Sequence, residues 1–356
     1  MATRVDAKKL ERLVSDLLVA AEVPREDADI VAWVLVKTDL RGVESHGTAR
    51  LSYYYLHNAR QGLINRRPNV TVVSEGPSSL VVDADNGLGH PVSYRTMKRC
   101  IEKAKQTGIC AATVRHSNHF GAAGIYAMMA LEEDMLGLAL TNSQPLAIPT
   151  YGRKRLLGTN PISLAAPAGN SLPFVLDMAT SVVPIGRIEV YQRRGEPVPL
   201  GWGADGEGRV TSDPDRIMDG GGLFPLGGPA ETGGYKGYGL AAMVDILCGV
   251  LSGAAFLTGV LPPKLDRTGP ADVGHFFLAL DIAAFRPIDE FKAAMDAFIR
   301  ELQESPKAAG ADRIYVAGEK EFMQEQERLQ LGIPLNPKVE EDLRGMCQEL
   351  GVAWPF

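Results

Sequence analysis

The chain has 356 residues, 45% of them hydrophobic and 22% charged, and carries a formal net charge of −6. That composition is ordinary for a globular protein of one large or two smaller units, long enough to bury a substantial core. The acidic balance argues against nucleic acid as a partner, because phosphate binding draws on clustered Lys and Arg, and Arg66-Arg67 with Arg60 nearby reads as a solvated loop face.

In chain order, Asp6 caps an amphipathic helix with Leu10, Leu13, Val14, Leu17 and Leu18 on its apolar face. Pro24 opens a second helix that stops near Arg41-Gly42, and a third is predicted from Thr48 to Arg60. An all-helical start is unlike a Rossmann protein, which begins with a strand feeding a glycine-rich turn. After Asn69 the pattern alternates. Strands are predicted at Ser79–Asp83, Ile109–Val114 and Leu136–Thr141, and helices at Pro91–Gln106 and Ala122–Glu133, with His90 in the turn between the first pair. This alternation argues for an α/β fold. Residues 145–229 are rich in Gly and Pro, with short strands near Ile162–Ala166 and Phe174–Asp177. A helix at Tyr238–Phe256, a strand at His275–Ile282, a helix at Ile288–Ser305, a strand at Arg313–Val316 and two short polar helices complete the pattern.

Three features mislead if read by motif alone. Gly201-Trp202-Gly203-Ala204-Asp205-Gly206 matches GxGxxG but lies between prolines and a polar run, so it reads as a surface turn. Leu240–Leu261 is apolar enough to imitate a membrane span, but Asp245 and a cluster of small residues point to a buried helix. No membrane partner is expected. Cys100, Cys110, Cys248 and Cys347 form no Cys-x-x-Cys pair, so they read as reduced thiols rather than metal ligands. With no apolar signal core in the first residues, a cytoplasmic location is expected.

The chemistry-bearing residues lie in loops. Ser45-His46-Gly47-Thr48-Ala49-Arg50 enters the third helix, and Arg50 falls four residues after His46, where both can face one side. A guanidinium grips a carboxylate with two parallel hydrogen bonds, and an imidazole exchanges protons near neutrality. His119, in Ser117-Asn118-His119-Phe120-Gly121, sits where a strand turns into a helix, a common ligand position. Both histidines also have plain structural readings as members of a capped helix and a bonded loop. Thr141-Asn142-Ser143-Gln144-Pro145 and Gly158-Thr159-Asn160-Pro161 are polar loops at strand edges, and Asp177-Met178-Ala179 follows an apolar strand. Tyr235-Lys236 lies among glycines leading into a helix, which suits an anion.

Taken in order, SHGTAR, SNHFG, TNSQP, GTNPIS, DMATS, GGYKGYGL and Ala317-Gly318-Glu319 resemble the type-2 malate/L-lactate dehydrogenase family over nearly the whole chain. The resemblance implies a non-Rossmann α/β fold with mixed sheets and interleaved domains, an NAD or NADP cofactor with NAD slightly preferred, a small 2-hydroxy or 2-oxo acid substrate, and a homodimer. It implies a helical segment with the substrate loop at 1–75, a cofactor region at 76–135 and 190–262, a central sheet region at 136–189 and 263–320, and terminal helices at 321–356. It implies proton exchange by His46 or His119, with Ser45 beside them. Arg50, Thr159 and Arg187 match substrate-side positions. His119, Phe120, Gly121, Asp177, Met178, Ala179, Tyr235, Lys236, Gly318 and Glu319 match cofactor segments. Two departures matter. Arg187 stands where imine-reducing relatives carry an Asp, which tilts the expectation from cyclic imines toward hydroxy acids. Ala317 replaces a common proline, which weakens the Gly318-Glu319 match. An imine reductase, a Ser45/His46 hydrolase and a non-catalytic sensor are the alternative readings.

Overall fold

Residues 3–262 and 269–356 are described by the computed structural model. Strand β1 (Thr3–Val5) leads into α1 (Ala7–Ala20) and α2 (Arg25–Leu40). Asp6 caps α1 as expected, accepting a hydrogen bond from the Lys9 backbone N–H. The helix predicted at 48–60 is instead a composite: a 3-10 turn at Thr48–Arg50, a π turn at Leu51–Leu56 and α3 at His57–Arg60. Gly47 and the buried Asp39 pin its entrance, so the first turns follow that anchor rather than the 3.6-residue period.

Next come β2 (Thr71–Glu75), β3 (Ser79–Asp83), α4 (Gly89–Thr107), β4 (Ile109–Ser117), α5 (Ala123–Met128), β5 (Met135–Thr141), β6 (Ile162–Ala166) and β7 (Phe174–Met178). His90, expected in a turn, lies in the first turn of α4 and is fully buried. The Gly- and Pro-rich region holds α6 (Ile185–Arg194), α7 (Pro214–Met218) and three two-residue strands, β8 (Gly203–Ala204), β9 (Val210–Thr211) and β10 (Gly222–Leu223), in a small sheet. The GxGxxG match falls on that sheet and its turns.

The stretch expected as one buried helix over 240–261 is α8 (Gly234–Asp245) followed by a π turn at Ile246–Val250. One side packs on the sheet, while Met243, Ile246, Val250, Leu251 and Phe256 are exposed. The helix loosens where Asp245 and Asn142 bond to each other and Asn142 also bonds the Ala255 carbonyl. Strand β11 (Val273–Asp281) and helices α9 (Ile288–Glu304) and α10 (Glu319–Leu331) follow, then β12 (Ile333–Leu335) and α11 (Pro337–Leu350). The strand expected at 313–316 is absent. The Val316 N–H donates to the Glu319 carboxylate, which also pairs with Arg313, so a ladder donor is diverted to a side chain.

The main sheet has seven strands in the order β2-β3-β4-β11-β5-β6-β7, parallel only between β3 and β4. Side chains alternate across it. Cys110, Ala112, Val114, Phe277 and Ala279 face α4 and α5, while Leu140, Phe276 and Leu278 face α8. A separate apolar core joins α1, α2, the π turn and α11, and β1 pairs with β12 beside it.

Strand direction decides where the loops meet. Ser117 pairs with Val273, Thr141 with His275, Leu140 with Ile162, and Ile162 with Met178. The ends of β4, β5 and β7 and the start of β6 therefore lie along one edge. That edge carries His119, Ser143, Asp177 and Thr159.

Candidate active site

The loop after α2 is built around Asp39. Its carboxylate accepts hydrogen bonds from the Thr48 backbone N–H at 3.0 Å and the Thr48 hydroxyl at 2.6 Å. Gly47 passes so close that a Cβ there would lie 1.8 Å from an Asp39 oxygen, so no larger residue fits without moving the loop. Burial pushes the Asp39 carboxyl up to about 7, although the Thr48 bonds oppose the rise. From behind, α10 braces the same corner. Arg328 donates to the Asp39 carbonyl and pairs with Glu44, while Glu325 pairs with Lys37 and Arg41.

So held, the loop presents three groups. The Ser45 hydroxyl lies 2.9 Å from His46 Nδ1. Arg50 Nε donates to the Ser45 carbonyl at 2.5 Å, and its guanidinium lies over the Tyr54 ring, 4.8 Å from the centroid. These contacts leave the outer edge of the guanidinium for a ligand. The π turn that follows brings Tyr54 and Tyr55 to the same imidazole, an instance of π geometry at a candidate site.

That imidazole is His119. Its ring stacks on His46 with centroids 5.6 Å apart and 23° between planes, and Tyr54 meets it edge-on at 5.3 Å. His119 Nδ1 lies 2.7 Å from the Tyr55 hydroxyl and accepts from the Gly121 N–H at 3.3 Å. Burial pushes His46 down to about 4, with the Arg50 charge adding to the shift. Burial lowers His119 further, helped by His46, His90 and Arg50. Both rings are therefore neutral at physiological pH, the state a proton acceptor or a neutral donor requires. His90 and His275 line the floor, each held at about 3 by burial. His275 bonds Thr141 and Ser117 at 2.8 Å each, which ties it into the sheet edge.

Along the sheet edge, Asp177 accepts from the Gly124 N–H at 2.7 Å, which ties Asp177-Met178-Ala179 to the Phe120–Gly124 turn. Phe120 itself is buried and stacks on His275. Thr159 lies 3.3 Å from the Ser143 hydroxyl, and its carbonyl accepts from the Thr180 N–H at 2.8 Å. Tyr235 and Lys236 occupy the exposed first turn of α8, with no ion pair to Lys236 among the described residues. Gly318 packs against the Val175 backbone at the β7 edge. Glu319 is turned away, its carboxylate shared by Gln303, Arg313 and the Val316 N–H. Arg187 is also apart, exposed on α6 with its guanidinium 5.7 Å from the Trp202 ring centroid.

Sequence reasoning singled out His46, His119 and Arg50, which the fold brings together. It passed over Tyr54, Tyr55 and Asp39. The π turn hides the tyrosines' shared direction, and a buried Asp late in a helix carries no local signal.

The profile of the malate/L-lactate dehydrogenase family matches residues 5–344. The chain belongs to that family. Among its relatives, the malate dehydrogenase of Pyrococcus horikoshii is 48% identical over 350 residues, covering 98% of this chain and 96% of that protein. The L-sulfolactate dehydrogenase of Methanothermobacter thermautotrophicus is 36% identical over 352 residues, 98% of each chain. The solved structure of malate dehydrogenase from Pyrococcus horikoshii OT3 superposes with a TM-score of 0.91 at 45% identity, covering 99% of this chain and 97% of that one. This family member is accordingly an oxidoreductase with the α/β fold of those structures, and a nicotinamide dinucleotide is its redox cofactor. The donor set suits such a cofactor: neutral imidazoles, the Ser143 and Thr159 hydroxyls, and an ammonium at a helix start where backbone N–H groups favour phosphate. No helix among the described residues is long and apolar enough to cross a membrane.

Proposed function

We propose that this chain moves hydride between C2 of a small, malate- or lactate-like 2-hydroxy acid and a nicotinamide dinucleotide, giving the 2-oxo acid. The observation that carries this reading is the convergence of Arg50, His46 and His119, a carboxylate grip beside two neutral imidazoles. Arg50 holds the substrate carboxylate, and Thr159 with Ser143 orients it. In oxidation, the C2 hydrogen would leave with its bonding pair as hydride and the C2–O bond become a carbonyl, while the hydroxyl proton passes to an imidazole nitrogen, converting it to imidazolium. In reduction, that imidazolium returns the proton to the C2 oxygen. Burial is the main cause of the His46 depression, and a substrate carboxylate on Arg50 offsets the smaller part that the Arg50 charge adds. When bound, a nicotinamide dinucleotide would supply the hydride acceptor, and His119-Phe120-Gly121, Asp177-Met178-Ala179, Tyr235-Lys236 and the Gly318 backbone would hold it.

NAD is proposed as the preferred form. The Asp177 carboxylate suits a ribose diol better than an added 2′-phosphate, by analogy with other dinucleotide sites. The exposed apolar residues of α8 and its π turn are proposed to close a homodimer. Four free, buried cysteines agree with a cytoplasmic setting. Two alternatives lose support. A Ser-His-carboxylate relay for imine reduction lacks its acid, since no carboxylate bonds Ser45 among the described residues and position 187 is an arginine over Trp202. The same gap weakens a Ser45 hydrolase. The test is a panel of 2-oxo acids and cyclic ketimines, assayed by absorbance with NADH and NADPH separately. Turnover of 2-oxo acids with NADH is the expected result, and reduction of ketimines alone would reverse the reading.

A further inference from the structure

His119 and His46 are both neutral imidazoles, but their Nδ1 atoms face different partners. His46 Nδ1 faces the Ser45 hydroxyl, which can donate or accept. The ring can therefore exist as either tautomer, or as imidazolium, without losing that bond. His119 Nδ1 faces the Gly121 backbone N–H, which can only donate, and the Tyr55 hydroxyl. A hydrogen on His119 Nδ1 would point at the Gly121 hydrogen, so this nitrogen carries the lone pair and Tyr55 donates to it. Tyr55 is fully buried, and burial raises its pKa well above 10, so its proton stays in place.

We infer that Tyr55 is a positioning residue that, with the Gly121 N–H, fixes His119 as its Nε2–H tautomer, so that His119 offers a hydrogen-bond donor and leaves proton exchange to His46. An imidazole in that state has no free lone pair toward the cleft and cannot take a hydroxyl proton there. Protonating Nδ1 instead would lose the Gly121 N–H bond, force Tyr55 to turn from donor to acceptor, and place a cation beside Arg50 and His46. The Nε2–H is suited to stabilise charge building on the C2 oxygen as hydride arrives, the role of a preorganised donor. His46, whose serine partner follows either state, carries the proton. This division of labour rests on the dehydrogenase reading, whereas the tautomer itself does not.

The experiment is two-bond proton–nitrogen NMR on the full-length protein labelled with 15N-histidine, with His119 assigned by its loss in His119→Gln. The expected spectrum shows His119 Nδ1 as the unprotonated nitrogen and Nε2 as the protonated one. In Tyr55→Phe the two nitrogens shift toward each other as tautomers mix, and kcat for 2-oxo acid reduction falls about tenfold with KM within about twofold. A protonated Nδ1 in the wild type overturns the inference even if Tyr55→Phe does not fold. So does a Tyr55→Phe protein whose spectrum and kcat are unchanged. If the wild type reduces no 2-oxo acid, the dehydrogenase reading fails, and the nitrogen shifts still decide the tautomer.

Discussion

Asp39 and Thr48 are joined by two hydrogen bonds to one carboxylate oxygen, at 3.0 and 2.6 Å, and this pair sets the path of the loop that carries His46 and Arg50. Gly47 makes the pairing possible by leaving room for the carboxylate. In Gly47→Ala the loop must move by an ångström or more. The expected outcome is a fall of about 100-fold in kcat/KM with an unchanged circular dichroism spectrum, since misplacement of that size costs about that much. Near-normal turnover would show that the loop position does not control the reaction.

The buried Asp39 also gives stability a signature in pH. Its carboxyl titrates at about 7 in the folded chain, against about 3.9 in an unfolded one. Between those values the folded chain keeps a proton that the unfolded chain has released. Asp39 therefore makes stability fall as pH rises from about 4 to about 7, by about 1.4 kcal/mol per unit, and level off above. Asp39→Asn cannot ionise. Its melting temperature relative to wild type is expected to climb between pH 5 and pH 8, measured by calorimetry. A constant difference would mean that Asp39 is not held protonated.

Arg50 and His46 are coupled through charge. With His46 at about 4 in the free enzyme, its base form persists into mild acid. The kcat/KM for hydroxy acid oxidation, which reports free-enzyme groups, is expected to hold to about pH 5 and fall only as pH approaches 4. Arg50→Met removes the repelling charge and the carboxylate grip together. Burial, the larger cause of the depression, remains, so its acid limb is expected to move up from about 4 by only part of the way, and KM to rise at least about 100-fold. A wild-type limb already near 6.5 contradicts the assignment.

His90 acts in the opposite direction from Asp39. Buried at about 3 in the folded chain and about 6.5 when unfolded, it stays neutral while the unfolded chain takes up a proton. Stability is therefore lost as pH falls from about 6.5 toward 3, by about 1.4 kcal/mol per unit. His90→Phe keeps a ring beside Tyr55, whose centroid lies 4.6 Å away, and removes the titration. Its unfolding free energy, from urea titrations, is expected to fall less steeply with acid than that of wild type. Parallel curves would show that His90 does not drive the loss.

Much of this molecule was legible in its sequence because local rules and the fold agree. Asp6 caps α1, and β3, β5 and β6 lie within a residue or so of their apolar runs. His46, Arg50 and His119 stood out because loops carry chemistry. What escaped notice depends on distant partners. Strand β1 is three residues long and exists only because β12 returns to pair with it. The 313–316 segment has strand composition, but the Glu319 carboxylate takes its N–H. Tyr55 looks like one more core aromatic until the π turn aims its hydroxyl at His119, and α8 shows its exposed face only in the fold.

The brace from α10 to the substrate loop has a consequence for how the protein becomes active. Arg328 and Glu325 reach back to Asp39, Glu44, Lys37 and Arg41, which are synthesised almost three hundred residues earlier. A nascent chain can thus form its sheet edge and the loops along it well before the loop that carries His46 and Arg50 is clamped. Until α10 emerges from the ribosome and docks, the growing polypeptide holds both histidines yet lacks a finished seat for any acid.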